Sequence, residues 1–291
     1  MAVHFEFYAP DSWEEACARV AEFGTDARPL AGGTDLMILI ERGQIAPQQV
    51  VSLARIPGWN ALSLNGSLKI GAGTTYRQIE RTRELYGAHR ALVEAARQVG
   101  GVQVRTVATV AGNICNASPA ADAVPPLLVM EAALELCGQD SARTVAADSF
   151  ITGPRETALR PGELVRAIHV PALPPRTATI FLKAGRRKAM EISVVGVAVR
   201  LTLAPDRDVI EIGRIALNAV APRPLRAYGA ESALTGRPLT PELLDEAADR
   251  AVAVTEPISD VRASADFRRH LTRVMVRQAL AQCWQQLTEP Q

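Results

Sequence analysis

Cysteine is scarce and scattered. The chain has four, Cys17, Cys115, Cys137 and Cys283, with no CxxC and no paired spacing. That excludes a structural zinc site and leaves no thiolate set for a protein-bound iron–sulfur cluster. Such scattered cysteines suit a reducing compartment, where a buried thiol acts as a small apolar side chain, so the expected location is the cytoplasm. Excess charge of either sign is also missing. With 32 basic and 31 acidic residues and a formal net charge of +1, the chain offers no electrostatic footprint for nucleic acid or an anionic membrane. Its densest basic cluster, Arg186-Arg187-Lys188, is too short for a basic tail. No charge-free apolar run reaches the roughly eighteen residues of a membrane span. The opening "MAVHFEFYAPDSWEEAC" lacks a basic n-region and a long apolar h-region, so no signal peptide is expected.

Several catalytic signatures are absent as well. There is no GxGxxG after a strand, no GxxxxGK[ST] and no GxSxG. His4, His89, His169 and His270 stand in unrelated contexts, and no Ser/His/Asp or metal-ligand arrangement can be assembled from them. Neither a catalytic side chain nor a metal site is therefore expected.

What is present is an alternation of strands and helices. "HFEFYAP" alternates and stops at Pro10. "DSWEEACARVAEFG" opens on Asp/Ser caps, carries Glu14 and Glu15 in its first turn and closes on Gly24. "ARPLAGG" predicts a strand, "TDLMILIERG" a helix capped by Thr34 and ended by Gly43, and "QQVVSLA" another strand. From about Pro57 a second unit begins, with a hairpin turning at Asn65-Gly66 and successive helices in "TTYRQIERTRELYG" and "AHRALVEAARQVGG". Further on, "DAVPPLLVMEAALELCG" predicts a helix followed by a strand. A boundary lies at "HVPALPPRTAT", around Pro171, Pro174 and Pro175. Beyond it come three antiparallel strands and then helices. The last helix starts near Ala265, with Phe267, Leu271, Met275, Ala279 and Cys283 as a core-facing stripe. The expected class is α+β, with a first domain at 1–175 (subdomains 1–56 and 57–175) and a second at 176–291.

Two glycine-rich segments carry the chemistry. In Leu30-Ala31-Gly32-Gly33-Thr34-Asp35-Leu36, glycine permits positive φ and lets a ligand approach backbone N–H groups without meeting a Cβ. The same dipeptide also serves as a plain strand-to-helix turn. The second segment, Thr109 to Asp122, offers backbone donors, Asn113, Asn116, Ser118 and Asp122 among small apolar residues. Those groups suit phosphate, ribose and ribityl hydroxyls. The alternative is a surface loop in which Ser118-Pro119 opens a capped helix and Asp122 sits in its first turn.

Together, "PLAGGTDL" and "TVATVAGNICNASPAAD" resemble the paired FAD-binding motifs of the medium, flavoprotein subunits of molybdenum hydroxylases. That family includes carbon monoxide dehydrogenase, xanthine dehydrogenase and the related aldehyde, quinoline and hydroxybenzoyl-CoA enzymes. The resemblance continues in "TTYRQIERT", "DSFITGPRETALRPGELVRAIHVP", "FLKAGRRKAMEISVVGVAVRL", "ALNAVAPRPLRA" and "DVRASADFRRHLTRVMVRQAL", and so spans nearly the whole chain.

The resemblance implies a two-part FAD-binding module of the vanillyl-alcohol-oxidase type, followed by a small α+β domain with a three-stranded antiparallel sheet. It implies that Leu30, Ala31, Gly32, Gly33, Thr34, Asp35 and Leu36 cradle the pyrophosphate, and that Thr109, Ala111, Gly112, Asn113 and Ile114 line the opposite side. Ser118 and Asp122 would bond the sugar or ribityl portion, Leu164 would pack near the adenine or flavin, and Lys183 would approach the isoalloxazine. A cation there stabilises the anionic character of reduced flavin. One departure is Ile192, which stands where some relatives carry a flavin-covering Tyr. The cysteine-rich insert of hydroxybenzoyl-CoA-type relatives is also missing.

By the same resemblance, molybdopterin belongs to a large partner subunit and the [2Fe–2S] clusters to a small one, in a complex that can dimerise. Electrons would then pass through FAD to NAD or another acceptor. A stand-alone FAD oxidoreductase with its own substrate, and an assembly protein with no redox role, remain the alternatives.

Overall fold

Helix α1 (Trp13–Phe23) begins where Ser12 accepts from the Glu15 N–H at 3.1 Å, and it stops at Gly24, φ 52°. In the computed structural model, which describes residues 4–187 and 190–288, α1 links the first two strands of a parallel sheet. These are β1 (Glu6–Tyr8) and β2 (Ala27–Leu30), each paired with the central β3 (Gln49–Ser52). Every residue of β3 is buried, as an inner strand of a covered parallel sheet requires. The short α2 (Leu36–Glu41) joins β2 to β3.

The second unit is a five-stranded antiparallel sheet of order β4-β5-β10-β6-β7. Its strands are β4 (Leu62–Asn65), β5 (Ser67–Gly71), β6 (Ala133–Cys137), β7 (Ala142–Ala146) and β10 (Leu164–Val170). The β4–β5 hairpin reverses at Gly66, φ 78°, a left-handed conformation that favours glycine. Between β5 and β6 run α3 (Tyr76–Arg81), α4 (Arg90–Arg97), α5 (Val102–Val107), α6 (Val110–Cys115) and α7 (Val124–Val129). After β7 come α8 (Ala147–Phe150) and a ribbon of β8 (Ile151–Gly153) and β9 (Glu156–Thr157). The helix expected over "TTYRQIERTRELYG" is divided. At Thr82 the backbone turns extended, ψ 99°, while its hydroxyl donates back to the Gln78 carbonyl at 2.8 Å, and a 3-10 turn follows over Arg83–Tyr86.

The C-terminal sheet has four strands rather than three: β11 (Thr177–Ala184), β12 (Val195–Leu203), β13 (Ile210–Asn218) and the two-residue β14 (Leu225–Arg226). A strand that short has no periodicity to read. Three helices, α9 (Tyr228–Leu234), α10 (Pro241–Ala253) and α11 (Ala265–Thr288), follow it. All nine residues of β12 are buried. Val195, Val197, Val199, Leu201 and Leu203 join the core under the helices. Ala198 faces the other way, and with its register partners Phe181 and Ala216 it enters the core of the N-terminal half. The α11 stripe is real from Met275 through Ala279 to Cys283, whereas Phe267 is exposed. Steps of four residues overrun a 3.6-residue turn, so the row rotates around the axis: it starts exposed at Phe267 and joins the buried face, which includes Arg268, Thr272, Val276 and Leu280, only from Met275 on.

Candidate cofactor site

The two glycine segments meet. A Cβ on Gly32 would lie 2.0 Å from the Val107 carbonyl oxygen and 2.9 Å from Ala108 Cα. Gly32 is therefore glycine because the chain's own backbone, at the end of α5, crosses it. Gly33 has φ 73°, which supplies its separate reason for being glycine. A Cβ on Gly112 would meet Thr109 Oγ1 at 2.8 Å and Ala31 Cβ at 4.0 Å. Ala31 thus faces α6 across the seam.

Thr109 caps α6, its Oγ1 accepting from the Gly112 N–H at 2.9 Å. It also bridges Thr75, and the Tyr76 N–H donates to the Ala108 carbonyl at 3.1 Å. Thr34, expected as the cap of α2, is not one. The helix begins after Asp35, whose side chain makes no capping bond, and the Met37 N–H donates to the Gly33 carbonyl at 3.0 Å. Leu36 is half-buried and Asp35 exposed, while Ala111 and Ile114 belong to the core.

No helix opens at Ser118-Pro119. Ser118 Oγ accepts from the Ala120 N–H at 3.3 Å, and the next helix, α7, waits until Val124. The loop is pinned at both ends: the Ala117 carbonyl accepts from Arg155 N at 2.9 Å and the Pro119 carbonyl from Ala219 N at 2.8 Å. Its small residues Ala117, Ala121 and Ala123 are core, so part of its smallness serves packing.

Asp122 is the centre of the arrangement. Its Oδ2 lies 2.7 Å from Lys183 Nζ; its Oδ1 accepts from Ser193 Oγ at 2.5 Å and from Asn218 Nδ2 at 3.2 Å. Lys183 also donates to the carbonyls of Gln98 (3.1 Å) and Glu191 (2.8 Å), which occupies its three protons. Register explains the convergence: Lys183, Gly196 and Asn218 lie opposite one another on β11, β12 and β13. A Cβ on Gly196 would fall 2.0 Å from Asn218 Oδ1, so the middle strand gives up its side chain to make room for that amide.

Three buried polar atoms at this site lack a partner, Asn113 Oδ1, Tyr76 Oη and Asn218 Oδ1. Burial pushes the Tyr76 hydroxyl well above its usual pKa, and the carboxylates of Asp122 and Asp35 add to that shift. Leu164 stands apart at the start of β10, 4% exposed and paired with Cys137 across the sheet. Ile192 is 53% exposed, and Lys188 of the basic cluster lies outside the described residues. Tyr76, Ser193, Asn218 and Gly196 went unassigned in the sequence. Ser193, Asn218 and Gly196 are tied to the site by neighbours remote in the chain, and no local pattern marks them or the buried Tyr76.

Unpartnered buried polar atoms, glycines where the two segments meet and a buried ion pair beside them fit a polar dinucleotide laid along the two segments. Among the described residues no group of three or more His, Cys, Asp or Glu could hold a metal, and no helix is long and apolar enough to cross a membrane.

Comparison with known proteins agrees. Residues 3–173 match the family model of the FAD binding domain in molybdopterin dehydrogenase, and 180–283 that of the CO dehydrogenase flavoprotein C-terminal domain. The carbon monoxide dehydrogenase medium chain of Hydrogenophaga pseudoflava is 34% identical over 96% of this chain and 97% of its own length. The xanthine dehydrogenase FAD-binding subunit of Escherichia coli O157:H7 is 32% identical over 88% of each. The solved carbon monoxide dehydrogenase of Hydrogenophaga pseudoflava superposes with a TM-score of 0.93 at 32% identity, over 99% of this chain and 100% of that one. Quinoline 2-oxidoreductase from Pseudomonas putida 86 gives 0.91 at 25%, over 99% and 100%. The chain belongs to the FAD-binding flavoprotein subunits of the molybdenum hydroxylases, an oxidoreductase family, and FAD is its cofactor.

Proposed function

We propose that this chain is the electron-transferring subunit of a multi-subunit molybdenum hydroxylase working in the cytoplasm. Electrons arrive from [2Fe–2S] centres on a small subunit and leave to NAD or another acceptor. Molybdopterin and substrate hydroxylation belong to a large subunit. The scattered cysteines, which cannot ligate such clusters, support that division. When bound, FAD accepts electrons singly and releases them as a pair. The observation that carries the reading is the meeting of Ala31-Gly32-Gly33 with Val107–Gly112, with Asn113 Oδ1 left unpartnered at that seam.

In this reading the backbone from Leu30 to Leu36 holds the pyrophosphate, and Thr109, Ala111, Gly112, Asn113 and Ile114 line its other side. Ser118 and Asp122 face the hydroxyl-bearing portion, and Leu164 supplies an apolar wall. Lys183, already bonded to Asp122, Gln98 and Glu191, fixes the C-terminal sheet against the cradle and contributes its charge without a free donor. We take residues 1–175 as the FAD-binding part and 176–291 as the part that closes it.

Co-purification tests the proposal. The expected preparation is yellow, with stoichiometric FAD, a large partner containing molybdenum and a small partner containing iron. A chain that purifies alone and turns over a substrate unaided establishes the stand-alone FAD oxidoreductase instead.

A further inference from the structure

Two cysteines lie side by side where the halves of the FAD-binding module touch. Cys17, on the buried face of α1, belongs to the first unit; Cys137, 120 residues later, ends β6 in the second. Their Sγ atoms are 3.6 Å apart, and Cys17 Sγ also lies 3.3 Å from the Cys137 carbonyl oxygen. Cys137 Sγ in turn lies 3.6 Å from the Leu164 carbonyl. All four cysteines are free thiols; Cys283 Sγ lies against the carbonyls of Ala178 and Val199 instead.

We propose that Cys17 and Cys137 form a site of oxidative modification, a dithiol that a hydroperoxide converts into a disulfide joining the two units. The Cys137 thiolate attacks a peroxide oxygen; the O–O bond breaks, leaving Cys137 as a sulfenic acid and releasing water. The Cys17 sulfur then attacks the Cys137 sulfur; the S–O bond breaks, the S–S bond forms, and a second water departs with the Cys17 proton. Two thiols and one hydrogen peroxide become one disulfide and two waters, the sulfurs supplying the two electrons.

The order of events follows from the geometry. Cys137 is 6% exposed and Cys17 fully buried, so peroxide meets Cys137 first. The Cys17 S–H points at Cys137, an arrangement that favours the thiolate on Cys137 and disfavours it on Cys17. The cross-link has a mechanical consequence. α1 already abuts the turn before β10, where a Cβ on Gly162 would lie 2.8 Å from Ala21 Cβ. A disulfide ties α1 covalently to β6 as well, at Cys137, the register partner of Leu164.

Peptide mapping tests this directly. The protein, as purified, is treated with hydrogen peroxide, denatured and alkylated. The expected result is a Cys17–Cys137 linked peptide and two alkylatable thiols, Cys115 and Cys283, restored to four by dithiothreitol. In Cys17→Ser, dimedone captures Cys137 as the sulfenic acid. Four free thiols after peroxide, or a cross-link through Cys115 or Cys283, overturns the proposal; the wild-type map decides it even where the variant folds poorly.

Discussion

The Lys183 ammonium sits 2.7 Å from the Asp122 carboxylate, across the seam between β11 and the loop after α6, with side-chain exposures of 7% and 8%. Removing one partner of so buried a pair strands the other charge. Lys183→Met is expected to cost about 3 kcal/mol of stability, and adding Asp122→Asn to recover part of it. Thermal melts of the two variants check this, and a single variant that melts with the wild type refutes it.

Glycine positions separate by cause. Gly32→Ala drives a Cβ to 2.0 Å from a carbonyl oxygen, so α5 and the β2–α2 turn must part. Gly43 is left-handed at φ 66° with nothing near, so Gly43→Ala should cost only about 1 kcal/mol. Gly32→Ala is expected to lose far more stability and to retain little FAD. Equal melting and flavin content in the two variants would contradict the account. Gly33→Glu and Gly112→Glu are expected to purify without flavin.

Tyr76 buries a hydroxyl that no group answers. In flavin-free protein, Tyr76→Phe removes a desolvated donor at no loss of a bond, so stability should hold or rise by about 1 kcal/mol. A clear fall in the melting temperature of the flavin-free variant would show that the hydroxyl does have a partner.

Glu163 has two charge-assisted bonds from Arg143, each 2.7 Å, and one from the Arg160 N–H, and these hold its carboxyl below the usual carboxylate range. A depressed folded-state pKa means the stabilisation is complete above the unfolded value, about 4.3, and is lost as pH falls through the lower folded value. Melting temperature should therefore drop below about pH 4.3, and Glu163→Gln should flatten that acid limb. An unchanged limb in the variant would assign the acid sensitivity elsewhere.

Much of the fold was legible in the sequence because local rules governed it. Ser12 with Glu14 and Glu15 starts α1, and Asn65-Gly66 reverses the first hairpin. The break at Thr82 has no sequence signal, since a threonine in an otherwise helical run carries no visible stop, and α2 starts after Asp35 without the side-chain cap that Thr34 predicts. For the site, the glycine segments were legible as motifs but not as a contact. That Gly32 answers to Val107, and Asp122 to partners 61, 71 and 96 residues away, is a matter of tertiary register that no spacing encodes.

Phe181, Ala198 and Ala216 complete the interior of the other half of the molecule. The proline-rich boundary in sequence is therefore no boundary in cooperativity. A fragment ending near residue 175 would present an unfilled face of α4 and α7 to water, and its complement would present the far side of β12. The chain should melt in one transition, each half serving as the other's missing wall.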